Sequence, residues 1–337
     1  MEMKPNTDLI TIDDNINKIQ LLLKELVLEP RLKALEWSNI TKQTPNMKIG
    51  YPGQHLASVI TGIEGARTGA RGDDLKDGTE VKSCSRVDQL DTCTNCKNKV
   101  LRIETNCAHC GSNKIKRMDD SKWLFSVKTE QELKLLTNDI DRIFITIADY
   151  PNFSDDDFET IRFQAFELWN NSDRNKHFKT LMTNYYYKIF LEHIKLNPSK
   201  TPAPKNFWPY SYQFYLCNPI KVFNCIITEA NTNPSINIDF YVPPQTDRNN
   251  LESAKRPIQL LSSAELKIII DNINPSIIEP QLTSGTIDDL RKVIDAKKLD
   301  RKELKSILPY INEETRSYFE LRDTDIISTS TSSYVRR

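Results

Sequence analysis

Residues 73–82 combine the side chains that metal-dependent hydrolysis of a phosphodiester uses. Two adjacent carboxylates, Asp73 and Asp74, are followed by the tripeptide Glu80-Val81-Lys82. A magnesium ion held by carboxylate and carbonyl oxygens neutralises the charge that develops on the phosphate and activates the attacking water. A neighbouring lysine orients or deprotonates that water and stabilises the transition state. We therefore predict Asp73 or Asp74, Glu80 and the Val81 carbonyl as magnesium ligands, and Lys82 as the catalytic cation.

The acid-x-lysine tripeptide is a weak signal on its own, because the same pattern recurs elsewhere in the chain. The other copies lie in helical or charged surface patterns, where a solvated helix face is the simpler interpretation. Only the copy at residues 80–82 follows a strong turn signal, Asp77-Gly78, on a predicted strand. Copies in such helical or charged patterns include Glu132-Leu-Lys134, Glu265-Leu-Lys267, Asp295-Ala-Lys297, Asp300-Arg-Lys302 and Glu303-Leu-Lys305.

The length of the predicted hairpin loop decides which aspartate joins the site. A two-residue loop at Asp77-Gly78 places Asp73, Glu80 and Lys82 on one face of the hairpin. A three-residue loop selects Asp74 instead. The competing interpretation is a surface hairpin that carries an ordinary salt bridge.

Three charged residues precede this segment. Glu64 ends a predicted helix and could reach the same metal, although a glutamate on a helix surface is the alternative interpretation. Arg67 and Arg71 lie in a glycine-containing loop and could contact phosphates, or could simply be exposed. We keep Glu64 as a candidate catalytic residue and both arginines as candidate DNA-binding residues.

Four of the seven cysteines form two close pairs separated by ten residues. Cys93-x2-Cys96 and Cys107-x2-Cys110 supply the four thiolates of a tetrahedral zinc site, and Gly111 permits the tight turn that follows the second pair. Four sulfur ligands leave no open position on the metal, so this zinc is predicted to be structural. A redox role for one pair and two disulfides are the alternatives.

The elements around both groups predict an α/β layered core. The pattern indicates a helix over residues 53–64, a hairpin around Asp77-Gly78 and strands over 122–128 and 142–148, with a helix over 130–136 between those strands. The flanking predictions are helices over 13–28 and again after Pro30, a mainly helical stretch over 155–194, extended chain over 207–227 and 236–242, a linker over 243–257 and helices over 264–321.

Composition limits where a nucleic acid could bind. Lysine plus arginine and aspartate plus glutamate number 46 each, so a DNA-binding surface must be a local basic region. No apolar run approaches the roughly 20 residues that span a bilayer, and residues 1–9 lack a secretory signal pattern. These features, with paired cysteines typical of a reducing compartment, predict a cytoplasmic protein.

The stretch GIEGARTGARGDDLKDGTEVKSCSRVDQLDTCTNC and the following CAHCGSNKIKRMDDSKWLF resemble the MamI family of restriction endonucleases, most clearly over residues 50–150. The resemblance implies a PD-(D/E)xK restriction-endonuclease-like core, with a mixed central sheet flanked by helices, an inserted zinc ribbon and helical extensions. It also implies type II cleavage of double-stranded DNA, magnesium dependence, a prokaryotic source and a cognate DNA methyltransferase. Glu80 and Lys82 match the acid and lysine of the motif, whereas the proline that usually precedes the first acid is absent.

The predicted organisation follows from this resemblance. A palindromic site requires a two-fold protein, so we expect a homodimer. The polar and aromatic residues of one stretch are candidate DNA readers, although an aromatic stripe more often lies in a core; they are Asn206, Trp208, Tyr210, Tyr212, Gln213 and Tyr215. The predicted divisions are an N-terminal helical segment (1–45), a nuclease core (46–150) with the ribbon at about 84–119, a core continuation with the recognition region (151–248), a C-terminal helical region (249–327) and a disordered tail (328–337).

Two other functions compete with this prediction. A non-catalytic DNA-binding or regulatory protein could use the ribbon alone, but an acidic pair beside the lysine would repel phosphate unless metal were bound. A repair or recombination nuclease would cut structured DNA without discrete sequence sites.

Overall fold

The computed structural model describes residues 3–67, 72 and 74–327 of the 337-residue chain, with the side chains of residues 326 and 327 left aside. Asp73, Arg71 and the predicted tail at 328–337 therefore lie outside the described residues. Within the described part, no helix is both long enough and apolar enough to cross a membrane.

A five-stranded mixed sheet forms the centre of the fold. Its order is β1-β6-β7-β9-β10, in which β1 and β6 run parallel and the other neighbouring pairs are antiparallel. Three small sheets, β3-β2-β4, β5-β8 and β11-β12, lie around it. The strands are β1 Glu80–Ser85, β2 Asp91–Cys93, β3 Lys99–Val100, β4 Ile115–Lys116, β5 Trp123–Phe125, β6 Arg142–Asp149, β7 Ile161–Trp169, β8 Lys205–Phe207, β9 Ile220–Thr228, β10 Ser235–Tyr241, β11 Arg256–Pro257 and β12 Tyr310–Ile311.

Helices cover both faces of this sheet, because alternate side chains of its central strands point into two separate apolar layers. In β6, Ile143 and Ile145 belong to one layer, and Phe144 and Ala148 to the other. The helices are α1 Asn15–Leu23, α2 Glu29–Thr41, α3 Gly50–Thr61, α4 Glu130–Lys134, α5 Lys176–Asn184, α6 Leu191–Leu196, α7 Tyr212–Leu216, α8 Ser263–Asp271, α9 Pro275–Ile278, α10 Ile287–Asp295, α11 Arg301–Ile307, α12 Glu313–Arg316 and α13 Asp323–Ile327. The prediction of an α/β fold with a mixed central sheet between helices is confirmed.

Single π-helical turns join some of these helices into longer ones. Lys24–Leu28 connects α1 to α2, Tyr185–Phe190 connects α5 to α6, and Leu135–Asp139 extends α4. Pro30 directly follows the π-helical turn Lys24–Leu28, and the helix continues through it, so it does not divide the N-terminal helices as the sequence suggested.

A close contact with α3 fixes the position of β1. A Cβ atom added to Gly53 of α3 would lie 1.9 Å from Ser83 Oγ on β1, so only glycine permits this approach. Ser83 Oγ in turn accepts a 2.8 Å hydrogen bond from Thr146 Oγ1 on β6. Helix α3 is thus packed directly against the strand that carries Glu80 and Lys82.

Three predictions about secondary structure are wrong in part. Residues 155–194 are mainly helical only from Asp173 onward, because Ile161–Trp169 is a central strand whose buried residues include Gln164 and Glu167. Residues 207–227 are not all extended, because Ser211 caps the short helix α7 by accepting from Phe214 N–H. Residues 243–257 are not a linker, because Arg248 and Arg256 there are fully buried.

Candidate active site and metal centre

The chain enters β1 through a tight turn that two arginine contacts anchor. Leu75 N–H donates to the Thr79 carbonyl at 3.2 Å, which leaves three residues in the loop. Arg142, at the start of β6, donates to Asp77 Oδ2 at 2.5 Å and to Thr79 Oγ1 at 2.9 Å. Because Arg142 is fully buried, these bonds hold the turn against the edge of the central sheet.

The segment before the turn does not form the second strand of a hairpin, so that prediction is wrong. Leu75 makes an isolated antiparallel bridge with Gly65, whereas β1 pairs with β6 in parallel. The outer edge of β1 receives a side chain instead of a strand. Asp74 Oδ2 accepts the Val81 N–H at 2.7 Å, and Asp74 Oδ1 accepts from Gln54 Nε2 of α3 at 2.7 Å.

Glu80 and Lys82 lie on the face of β1 that is opposite to α3. Glu80 is 2% exposed, and its Oε2 accepts the Gly72 N–H at 2.5 Å. Its Oε1 makes an ion pair with Lys82 Nζ, whose side chain is 29% exposed. A polar group this deeply buried is stable only when its atoms have partners, and Gly72 and Lys82 supply them.

An open cleft of about 730 Å³ lies over this edge of β1. The N–H and C=O of a strand residue point to the same side, so the Val81 carbonyl faces the open edge where its N–H meets Asp74. The cleft is lined by Gly50, Tyr51, Gln54, His55, Ser58, Gly65, Arg67, Asp74, Val81, Lys82 and Ser83. Of the described candidates, Asp74, Val81, Lys82 and Arg67 thus share one cleft.

Glu64 belongs to a different contact. It forms an exposed ion pair with Lys76, and the hydrogen bond from Lys76 lowers the pKa of Glu64. Lys76 N–H also donates to the Glu64 carbonyl at 3.0 Å, so both ends of this pair are held close to the turn. The structure therefore gives Glu64 an ordinary surface partner.

Most residues that were predicted to read DNA are buried. Tyr210, Tyr212 and Gln213 are at most 2% exposed, and Asn206 is partly buried in β8. The Tyr210 hydroxyl donates to Gln164 Oε1 at 2.8 Å, and the Tyr212 hydroxyl donates to the Glu320 carbonyl at 2.8 Å. Their polar atoms are used inside the fold, so in this conformation these tyrosines and Gln213 present no surface to DNA.

Gln54 is a polar residue of the cleft that sequence reasoning missed. It lies one residue after Gly53 on α3, and its hydrogen bond fixes the orientation of the Asp74 carboxylate. One signal in the sequence was usable: Gln54 and His55 are polar residues on an otherwise apolar helix. That signal did not indicate Asp74 as the partner, which is 20 residues away in the chain.

The oxygen donors near the start of β1 are of the kind that magnesium binds. Magnesium takes carboxylate and carbonyl oxygens, and Asp74, Glu80 and the Val81 carbonyl are groups of that kind in this part of the fold. Carboxylates that bind metals are commonly oriented by further hydrogen bonds. The bonds from Gln54 to Asp74 and from Gly72 to Glu80 are of that kind.

The four paired cysteines form a compact thiol cluster in residues 91–116, which we call the cysteine ribbon. All four sulfur atoms lie within 4.8 Å of one another; Cys93–Cys110 and Cys96–Cys107 are 3.7 and 3.6 Å apart. Tetrahedral zinc with bonds of about 2.3 Å requires sulfur atoms roughly 3.8 Å apart. The cluster is therefore compatible with zinc.

Two equivalent turns present these sulfur atoms. Lys97 N–H donates to the Cys93 carbonyl at 3.0 Å, and Gly111 N–H donates to the Cys107 carbonyl at 2.8 Å. Both Lys97 and Gly111 have left-handed backbone conformations, with φ of 64° and 70°. The backbone N–H of Asn98 lowers the pKa of the Cys96 thiol to about 6, which favours the thiolate that a metal binds.

Buried charges fasten the cysteine ribbon to the rest of the protein. Asp91 pairs with Arg102 at 3.0 Å and with Arg117 at 2.8 Å. The Arg102 guanidinium also lies over the rings of Phe153 and Phe158, 4.9 and 4.8 Å from their centroids. Because these rings follow β6, the ribbon is held at the opposite end of β1 from the Asp74 cleft.

The comparisons with known proteins agree with this arrangement. A family model described as the MamI restriction endonuclease matches residues 36–258, a range that includes the cleft, the ribbon and the central sheet. The type II restriction enzyme MamI of Microbacterium ammoniaphilum is 29% identical over 82 residues, an alignment that covers 24% of this chain and only 27% of that relative. No solved structure matches the chain. From the extent of the family match, the chain belongs to the MamI restriction endonuclease family.

Proposed function

We propose that this protein is a type II restriction endonuclease that cuts double-stranded DNA by magnesium-dependent phosphodiester hydrolysis. The observation that carries the proposal is the set of groups at the outer edge of β1: Asp74 bound to Val81 N–H, and Glu80 paired with Lys82. A lysine beside paired carboxylates in an open cleft suits a reaction that builds negative charge on phosphate. The family match to restriction endonucleases supports the same substrate class.

Each described residue has a separate task in this proposal. Asp74, Glu80 and the Val81 carbonyl would hold magnesium, which when bound supplies charge neutralisation and an activated water. Lys82, whose partly exposed side chain enters the cleft, orients the attacking water and stabilises the charge on the phosphate oxygens. Gln54 fixes the orientation of Asp74. Asp73 remains the alternative acid, and Glu64 is the weakest of the candidates.

The remaining predictions are consistent with this activity. Arg67 lines the cleft and would contact a phosphate, as would Arg71. Zinc in the cysteine ribbon would be structural, since four thiolates complete its coordination. We further infer a homodimer, because palindromic DNA is read by two-fold proteins, together with a cytoplasmic location and a methyltransferase that protects the host DNA.

The test is digestion of unmethylated phage and plasmid DNA with and without magnesium. We expect discrete fragments that require magnesium and that disappear with Glu80→Ala and with Lys82→Ala. The matched controls are Glu303→Ala and Lys305→Ala, which alter the same acid-x-lysine pattern on helix α11. Zinc content and thermal unfolding establish that each variant is folded.

The outcome also separates the competing functions. Intact DNA with every substrate would favour a non-catalytic DNA-binding protein. Cutting at branched or damaged structures without discrete sequence sites would favour a repair nuclease. Loss of cutting in the α11 controls would show that the effect is not specific to β1.

A further inference from the structure

The exposed surface of the cysteine ribbon carries charge of one sign only. Its four exposed charged side chains are lysines: Lys97, Lys99, Lys114 and Lys116. Of the two carboxylates in residues 91–116, Asp91 is fully buried in its arginine pairs, and Glu104 is half-buried and accepts the Leu101 N–H at 2.8 Å. A chain with no net charge thus concentrates positive charge on this one module.

Strand pairing places two of these lysines in one row. In the sheet β3-β2-β4, Thr92 of the central strand pairs with Lys99 on one side and with Lys116 on the other. Cross-strand partners share a face, and Lys99 Nζ donates to Thr92 Oγ1 at 3.3 Å, which confirms the shared direction. The cysteine-bearing face lies opposite, because Cys93 and Ile115 are the next partners along the same strands.

None of the four lysines forms an ion pair with a carboxylate in the part of the chain that the structure describes. Lys97 Nζ donates only to the Thr94 carbonyl of its own turn, at 2.8 Å. In the C-terminal helices, by contrast, exposed lysines alternate with exposed acids, as Lys267 with Asp295 and Lys292 with Asp289. The ribbon lysines are therefore available to an external anion, whereas Lys267 and Lys292 are locally neutralised.

The ribbon is rigid enough to present these charges at fixed positions. The four sulfur atoms of its two turns lie together, Asp91 pairs with Arg102 and Arg117, and Arg102 lies over the rings of Phe153 and Phe158 just after β6. A preorganised row of cations loses less conformational entropy on binding than lysines on a flexible loop. The ribbon and the cleft lie at opposite ends of β1, whose six residues span about 17 Å, or roughly five base pairs of a duplex.

We propose that the lysine face of the cysteine ribbon binds the phosphate backbone of double-stranded DNA a few base pairs from the phosphate that is cut. The inference takes the position of the DNA in the cleft from the proposed function, but it does not require that the protein cleaves DNA. Charge complementarity favours a polyanion, and the regular duplex backbone supplies phosphates to a row of cations without any sequence requirement. The ribbon would strengthen and orient binding while the cleft performs hydrolysis.

The test measures the salt dependence of DNA binding without added magnesium, so that cleavage plays no part. A labelled 30-base-pair duplex is titrated with the full-length protein and with a variant in which Lys97, Lys99, Lys114 and Lys116 are all replaced by glutamine. Each phosphate contact contributes about 0.9 to the slope of log affinity against log salt. The variant should therefore lose about 3 to 4 units of slope, and its affinity should become on the order of 100-fold less sensitive to salt between about 50 and 200 mM.

Two further variants make the result specific. Replacing the same four lysines by arginine should retain the slope, because phosphate contacts require only the charge. Replacing Lys297, Lys298, Lys302 and Lys305 by glutamine removes equal charge from the acid-rich C-terminal helices and should change the slope by less than about 1. All variants must bind one zinc per chain and unfold at the wild-type temperature.

The outcomes separate this inference from the proposed function. An unchanged slope in the ribbon glutamine variant overturns the inference, whether or not the wild type cuts DNA. The inference also fails if the C-terminal variant loses as much slope as the ribbon variant, because binding would then depend on net charge alone. Loss of slope confined to the ribbon variant supports it, even for a protein that cuts nothing. In a cutting enzyme, the ribbon variant should raise KM with little change in kcat.

Discussion

The two predicted metal sites of this protein differ in how far apart their parts lie in the chain. The cysteine ribbon is local: its four ligands and both turns fall within residues 93–111, and each turn repeats the other. The residues that form and support the carboxylate site are far apart in the sequence. Asp74 is oriented by Gln54 of α3, and the turn before β1 is held by Arg142, which is 65 residues after Asp77. A local site can be predicted from spacing, whereas a distributed one needs the fold.

The two sites should also respond differently when one of their metal-binding side chains is replaced. The thiolate cluster lies on a small module that has little apolar core of its own, consisting of Cys93, Val100 and Cys107 with Cys96 and Ile115 against them. The carboxylates lie on a strand of the central sheet, between two large apolar layers. Loss of a ligand should therefore unfold the first region and leave the second folded but inactive.

The largest expected effect is the loss of zinc. Cys107→Ser removes one of four thiolates, and because zinc binding supplies the folding free energy of such modules, on the order of 10 kcal/mol, the ribbon should unfold. Amide hydrogen exchange should become fast in residues 91–116 and stay slow in β6 and β7. Cys225→Ala is the control, since it removes a buried thiol but should keep one zinc per chain.

This prediction tests whether the two sites are independent. If Cys107→Ser also exposed the amides of the central sheet, the ribbon would be part of one cooperative unit with it. A variant that kept its zinc and its slow exchange would contradict the assignment of Cys107 as a ligand.

A smaller effect is expected from Gln54→Ala. The change removes the hydrogen bond from Gln54 to Asp74 Oδ1, and loss of a residue that orients a metal ligand typically costs 10- to 100-fold in affinity or activity. We expect cleavage at low magnesium to fall by about that factor and to recover partly as magnesium is raised. The control is Gln131→Ala on the exposed surface of α4. Equal activity of the two variants would show that Asp74 needs no support from α3.

The smallest effect is expected at Glu64. Its partner is Lys76 on the surface, and exposed ion pairs contribute little to stability because both charges remain solvated. Glu64→Gln should therefore change the cleavage rate by less than about threefold and leave thermal unfolding nearly unchanged. A loss of cleavage rate as large as that of Glu80→Ala would indicate that Glu64 belongs to the metal site. The measurement is the single-turnover rate at saturating magnesium.

The sequence predicted those features whose physical cause is local or strongly periodic. Helix α3 and strand β6 were predicted to within a few residues, because an apolar stripe and an uninterrupted apolar run each fix an element. Strand β7 was missed, because its buried residues include Gln164 and Glu167, which break any simple pattern. Glu167 is buried only because Arg142 and Arg248 surround it, and such long-range partners are invisible in the sequence.

Burial also explains why the residues that the sequence predicted to contact DNA differ from the surface that we propose to bind it. Tyr210 and Tyr212 have side chains that suit base recognition, but the fold uses their hydroxyl groups internally and their rings in the core. The ribbon lysines form no recognisable cluster in the sequence, where Lys97 and Lys99 are separated from Lys114 and Lys116 by the second cysteine pair. Strand pairing brings Lys99 and Lys116 to either side of Thr92 and so creates a surface that the sequence does not display.

The most direct test of the central claim is the cleavage rate of Asp74→Asn under single-turnover conditions across a magnesium titration. Asparagine keeps the size of the side chain and an oxygen that can accept the Val81 N–H, but it removes the negative charge. If Asp74 binds the catalytic magnesium, the rate should fall by about 10³-fold, while zinc content and thermal unfolding stay at wild-type values. The surface variant Asp288→Asn should cut at the wild-type rate. A wild-type rate in Asp74→Asn would contradict the assignment of the catalytic site to this edge of β1.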